Sequence, residues 1–147
     1  MRDGLKLLLD NQHDMKVVGE TDNGRDVVKL ALKLNPDVII MDVYMPDLTG
    51  VDATHRILKN QRGIKVIGSS MSPDPGPAIG MLKAGASGYI LLDRIFEELA
   101  DAIKNAVADK VYISPFVISQ KAVQEYLNRA NIVAPSRKKK PVKPKQT

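Results

Sequence analysis

The sequence predicts an α/β domain built on a doubly wound parallel sheet. Three observations carry that prediction. Short apolar runs alternate with stretches of helical periodicity along most of the chain. The connections between them are short, which favours right-handed crossovers and helices on both faces of the sheet. The run Val38-Ile39-Ile40-Met41 is too short for a helix and is bracketed by Asn35-Pro36 and Met45-Pro46, so it reads as a strand buried on both faces.

In chain order, Leu5, Leu8 and Leu9 recur at helical spacing, so the chain opens in a helix that Asn11-Gln12-His13-Asp14 breaks. Lys16 to Glu20 is expected as a short strand. Thr21-Asp22-Asn23-Gly24 is a turn with capping residues for a helix over Arg25 to Leu34, which Pro36 ends. The strand at Val38 closes on Asp42, and a loop runs to Gly50. Val51 to Asn60 is a helix, and Lys65 to Ser70 is a strand ending in hydroxyls. Ser72 to Pro77 holds three prolines, which remove donors and fix the backbone, so no regular structure is expected there. A short helix follows over Ala78 to Lys83, then a turn at Gly85-Ala86-Ser87 and a strand over Gly88 to Leu92. Ile95 to Ala108 is a helix with Phe96, Leu99, Ile103, Ala106 and Val107 inward. Val111 to Pro115 is a connector, Phe116 to Arg129 a last helix, and the Lys/Pro-rich tail is expected to be disordered.

Composition removes several function classes. The chain has 147 residues, enough for one domain with a real core, and no cysteine, so disulfides, thiolate metal sites and cysteine nucleophiles are excluded. No apolar run approaches the roughly 20 residues of a membrane span, and the first residues lack the pattern of a signal peptide, so a cytoplasmic protein is expected. The net charge of +5 is unevenly spread: six of the 22 basic residues lie in the last eleven positions, which hold no acid, and the body through Ser136 is close to neutral. No glycine-rich phosphate loop follows a strand, and no Ser/His/Asp set suggests a hydrolase. His13 and His55 are isolated and read as solvated residues.

In open α/β sheets, sites form at the carboxyl ends of the strands. Those ends carry Glu20, Asp42, Ser70 and the region of Leu92-Asp93. One carboxylate and one hydroxyl from neighbouring strands would share a crevice.

Several separated motifs then resemble the receiver domain of bacterial response regulators: Val17-Val18-Gly19-Glu20, Asn35-Pro36-Asp37-Val38-Ile39-Ile40-Met41-Asp42, Met45-Pro46 with Gly50, and Lys83-Ala84-Gly85-Ala86-Ser87-Gly88-Tyr89-Ile90-Leu91. With Val111-Tyr112-Ile113-Ser114-Pro115 they look like the NarL/FixJ-type subgroup. The resemblance covers about residues 1–118. It implies a flavodoxin-like fold with strand order 2-1-3-4-5, a receiver domain over 1–114, a C-terminal helix over 115–130 and a basic tail over 131–147. It also implies that Asp42 accepts a phosphoryl group from a histidine kinase. Ser70 is then the hydroxyl that turns toward the phosphoryl oxygens, and Tyr89 the aromatic that changes orientation with it. Mg²⁺ would be held by Asp42 and the backbone carbonyl of Tyr44. Partners would be the kinase and a downstream protein target or output domain, with a homodimer possible and turnover enzymology not expected.

The family pattern and this sequence part at four places. A receiver's first strand and its terminal acidic pair are expected to be missing, because the chain opens in what matches the first helix; a late-called start and a genuinely short chain both account for that. Asp47 and Asp52 do not replace the acids. Leu92 stands where the family has a lysine. The loop 72–77 is richer in proline than the pattern, and a helix-turn-helix output domain is not expected. Three functions compete: a phosphoaccepting receiver, a degenerate receiver acting as a protein-interaction module, and a nucleic-acid binder through Arg137 to Lys145, which has no aromatic residues for stacking.

Overall fold

The computed structural model describes residues 2–132, without the side chains of residues 2 and 3; the expected disordered tail lies almost wholly outside them. The elements, in order, are α1 (Arg2–Asp10), α2 (Gly24–Leu34), β1 (Val38–Asp42), α3 (Gly50–Asn60), β2 (Lys65–Ser70), α4 (Pro75–Lys83), β3 (Gly88–Leu91), a 3₁₀ turn (Leu92–Arg94), α5 (Ile95–Val107), β4 (Tyr112–Ile113), α6 (Pro115–Ile118) and α7 (Lys121–Ala130). The sheet is parallel, in the order β1-β2-β3-β4.

Local chemistry sets the element ends. Asn23 Oδ1 accepts the Asp26 N–H at 2.9 Å and starts α2. Asn35 ends it in the left-handed region (φ 46°), its N–H reaching Ala31 O. Thr49 Oγ1 caps α3 through the Asp52 N–H at 3.2 Å.

Two buried clusters lie on opposite faces of the sheet. One unites Met41, Val66 and Tyr89 with α2, α3, α4, α6 and α7; the other unites Ile67 and Ile90 with α5, and Leu5 and Leu9 of α1 pack against it. Val117, Ile118, Val123 and Leu127 belong to the first cluster, so α6 and α7 share the core that packs on the sheet.

Five expectations are corrected. Lys16 to Glu20 forms no strand among the described residues: the segment is irregular and enters no ladder. Among the described residues β1 is the edge strand, and none of them pairs with the segment 16–20, which a strand requires. The connector contributes β4, since Tyr112 and Ile113 pair with Gly88 and Tyr89. The loop after β2 is shorter than expected, because α4 begins at Pro75. Proline suits the first turn, where the N–H groups have no intrahelical partner. The last helix is two helices, broken at Ser119-Gln120, where Gln120 is extended (ψ 136°). Phe96 and Val107 face solvent; α5 buries Ile95, Leu99, Ala102, Ile103 and Ala106 instead.

Candidate functional site at the carboxyl edge of the sheet

Asp42 is the last residue of β1, in register with Ser69 of β2, and the Val43 N–H continues the ladder to Ser69 O at 2.9 Å. The chain then turns back on itself: the Gly50 N–H, at the start of α3, donates to Val43 O at 2.7 Å. A Cβ at Gly50 would sit 2.5 Å from Asp42 O, so only glycine lets α3 approach this closely. Asp42 is solvent-exposed at the rim of the sheet. Desolvation by the surrounding protein nevertheless raises its pKa, outweighing the Tyr44 and Val43 amides, which act in the opposite sense.

Ser70 ends β2 and is buried; its Oγ accepts the Ser72 N–H at 3.1 Å, so the hydroxyl braces the turn into the proline loop. Tyr89, on β3, is fully buried, and its hydroxyl meets no hydrogen-bond partner among the described residues. Burial raises the Tyr89 pKa; the Ser70 hydroxyl opposes that shift, and the fields of Tyr44, Asp42 and Asp74 reinforce it. Asp42, Tyr44, Ser70 and Asp74 therefore lie within electrostatic reach of Tyr89. Tyr44 itself is 64% exposed, and its carbonyl follows Asp42 by two residues.

Asp47 has a different task. Its two carboxylate oxygens accept the Gly24 N–H at 2.8 Å and the Arg25 N–H at 3.1 Å, capping α2 from a distant loop. Desolvation pushes its pKa up, but these amides, its own amide and the Arg25 charge together hold it below the ordinary carboxylate value. Asp52 sits in the first turn of α3. His13 and His55 are exposed.

The sequence reading missed a buried polar cluster. Glu98 on α5 is 6% exposed; it accepts the Tyr112 hydroxyl at 2.9 Å and the Ser114 hydroxyl at 3.3 Å, and pairs with Arg94 at 3.5 Å. The Arg94 guanidinium lies 5.4 Å from the Phe116 ring centre. A glutamate among five inward apolar residues of α5 was the available signal.

The donor set does not form a Mg²⁺ cage. Among the described residues no group of three or more carboxylate, imidazole or thiolate side chains could hold a metal. At the strand end the available oxygens are one carboxylate, Asp42, and the Tyr44 carbonyl, and the Asp42 pKa is raised rather than lowered. Mg²⁺ bound there would keep most of its ligands as water.

A family model for the response regulator receiver domain matches residues 1–104. The chain belongs to that family. Among curated relatives, the response regulator GacA of Pseudomonas aeruginosa is 38% identical over 127 residues, covering 86% of this chain and 59% of that protein. The chain thus spans about six tenths of that relative's length. Among solved structures, a LuxR-family two-component response regulator from Aurantimonas superposes with a TM-score of 0.79 at 26% identity, covering 84% of this chain and 89% of that one. The response regulator domain of Thermotoga maritima CheB gives 0.67 at 36% identity, covering 74% and 88%. The receiver assignment and the flavodoxin-like fold expected from the motifs therefore hold. Receivers generally bind Mg²⁺ and act as phosphoacceptors for histidine kinases. In this receiver no helix among the described residues is long and apolar enough to cross a membrane.

Proposed function

We propose that this receiver accepts a phosphoryl group on Asp42 from a histidine kinase of a two-component pathway, and that the change is passed on through Ser70, Tyr89 and the loop leading into α4. The observation that carries the reading is that Asp42 and Ser70 close the adjacent strands β1 and β2 at one edge of the sheet, with Tyr89 of β3 close enough to feel the Asp42 charge. In the step, an Asp42 carboxylate oxygen attacks phosphorus while the bond from phosphorus to the donor histidine nitrogen breaks; the acyl phosphate is the product. The chemistry asks for positioning and charge neutralisation more than for covalent assistance. Asp42 and the Tyr44 carbonyl are the oxygens offered to Mg²⁺. The chain is a substrate of the kinase rather than a turnover enzyme; it works in the cytoplasm, and its output goes to a protein target or output domain, with self-association an additional route. Contact with nucleic acid through Arg137 to Lys145 is the weakest partner reading, and those residues lie outside the described structure.

The test is acetyl phosphate with Mg²⁺, read by intact mass. One phosphoryl group on the native chain and none on Asp42→Asn supports the reading; no gain on the native chain refutes it.

A second reading, a phosphorylation-independent interaction module, is favoured by Leu92. It is half-buried, lines the same depression as Asp42, and offers no cation. Under this reading the partner binds native and Asp42→Asn chains equally.

A further inference from the structure

The loop that leaves Asp42 is pinned where it starts and where it ends. The Val43 N–H bonds Ser69 O at 2.9 Å, and Val43 O accepts the Gly50 N–H at 2.7 Å. Tyr44 and Met45, between those pins, make no backbone–backbone hydrogen bond among the described residues. Tyr44 is also exposed, so packing holds it weakly. Pro46 fixes its own φ and carries no N–H. The next hold along the chain is the side chain of Asp47.

That side chain reaches a helix that is itself fixed. Its two oxygens accept the Gly24 N–H at 2.8 Å and the Arg25 N–H at 3.1 Å. Asn23 takes the Asp26 N–H, so the two caps divide the free donors of the first turn of α2. Leu48, buried beside Asp47, comes so near Gly24 that a Cβ there would lie 2.5 Å from Leu48 O. Further along α2, Gln61 Nε2, just past α3, donates to Ala31 O at 2.7 Å. A cap alone needs no distant residue, as Asn23 shows. A carboxylate 22 and 23 residues away also ties the loop to the helix.

The tie bears on Asp42 through Tyr44. The Tyr44 and Val43 amides favour the ionised form of Asp42. That is the form that attacks phosphorus, and Leu92 brings no cation to share the task. Val43 is held by the ladder; Tyr44 is held by the hydrogen bonds of Asp47.

We propose that Asp47 is a positioning residue for phosphoryl transfer to Asp42: clamped on the first two amides of α2, it fixes the segment 44–46 and keeps the Tyr44 N–H at the acceptor carboxylate. The proposal rests on the reading of Asp42 as acceptor. With acetyl phosphate as donor, an Asp42 oxygen bonds phosphorus as the bond from phosphorus to the acetyl oxygen breaks, and acetate leaves with that electron pair.

The experiment compares the full native chain with Asp47→Ala and Asn23→Ala, below the unfolding transition of each. Asn23→Ala strips a cap from the same helix and leaves the loop tied. Labelling by acetyl phosphate is followed by intact mass over a concentration series, and backbone order parameters by ¹⁵N relaxation. Asp47→Ala is expected to lower the maximal labelling rate about fivefold, the weight of one hydrogen bond, with the half-saturating concentration unchanged. Order parameters at Tyr44 and Met45 are expected to fall from about 0.85 to below about 0.6. Asn23→Ala should change neither. Equal slowing by Asn23→Ala overturns the proposal, since helix stability then sets the rate. So do order parameters unchanged by Asp47→Ala, or a raised half-saturating concentration at an unchanged maximal rate, which places Asp47 in donor binding. Equal labelling of native and Asp47→Ala chains overturns the positioning role alone. No labelling of the native chain overturns the acceptor reading and the positioning role with it.

Discussion

Gly50→Ala tests how tightly the candidate acceptor is held. The Gly50 position is buried, and an ideal Cβ there lies 2.5 Å from Asp42 O, 2.8 Å from Val43 Cα and 3.2 Å from Asp42 C. All three atoms are backbone, so no side chain can swing away. Forcing a methyl group into packed surroundings costs about 1–3 kcal/mol. Moving α3 outward to relieve it also breaks the Gly50 N–H to Val43 O bond, 2.7 Å long, at about 1 kcal/mol. Against this, alanine gains up to about 1 kcal/mol from helix propensity and a less flexible unfolded chain. The steric cost wins, with a net loss of about 1–3 kcal/mol, or about 3–10 °C in Tm for a domain of this size. The assay is urea and thermal unfolding by circular dichroism, with Gly63→Ala as control, because nothing lies within 4 Å of a Cβ there. The Gly50→Ala chain should also accept phosphate from acetyl phosphate about tenfold more slowly, since Asp42 moves with the strand end. A stability loss below about 0.5 kcal/mol, the range of an ordinary surface change, refutes the reasoning.

Three further outcomes are expected. Asp47→Ala should destabilise the chain at pH 7 and much less at pH 3: its folded pKa is depressed, so its contribution is present above the unfolded value of about 3.9 and is lost as pH falls through the folded one; urea midpoints at the two pH values check this. Leu92→Lys should speed acetyl phosphate labelling of Asp42 about fivefold, since an ammonium near a carboxylate at a wet site contributes about 1 kcal/mol; an unchanged or slower rate of mass gain would show that charge at this position is not limiting. Glu98→Ala should cost about 2–4 kcal/mol by stranding the Tyr112 and Ser114 hydroxyls, whereas Tyr112→Phe should cost about 1. Tyr112→Phe should also flatten the stability loss above about pH 10, because desolvation first, and then Glu98, raise the Tyr112 pKa; that stabilisation is complete below the unfolded pKa and disappears as pH rises toward the folded one.

What was legible in the sequence was what neighbouring residues decide among themselves. Val38 to Met41 is apolar, rich in β-branched residues and bracketed by prolines, and with Asp42 it forms β1. Asn23 and Thr49 sit where helix caps belong and cap their helices. What was not legible depended on distant partners. Lys16 to Glu20 has strand composition but no strand beside it. Tyr112 and Ile113 have no more strand character than the segment 16–20, yet Gly88 and Tyr89 supply the edge they need. Phe96 and Val107 fall on the helical period of the buried residues, but the adjacent Ile95 and Ala106 take the inward positions. Glu98 is inward because Tyr112, Ser114 and Arg94 satisfy it, and three of those four residues come from outside the helix. The strand-end positions of Asp42 and Ser70 were legible, since each closes a short apolar run, and Tyr89 was singled out by the family resemblance alone; the capping role of Asp47 was not legible, since its partners lie more than 20 residues away.

On the proposed reading, phosphoryl transfer draws on two resources, position and charge, and among the described residues they separate. Position is specified in detail: Gly50 fixes the backbone of Asp42 and Val43, Ser70 ties the following turn to its own strand, and Tyr89 is fully buried between those strands and α4. Charge is not. Leu92 brings no cation, no carboxylate cluster among the described residues forms a metal cage, and desolvation raises the Asp42 pKa with nothing at the site to lower it beyond two amides. A raised pKa makes the carboxylate more basic but leaves the added phosphoryl charge unneutralised. The barrier this predicts is therefore electrostatic, and substitutions that add positive charge near Asp42 should speed acetyl phosphate labelling more than any that repack the strand ends.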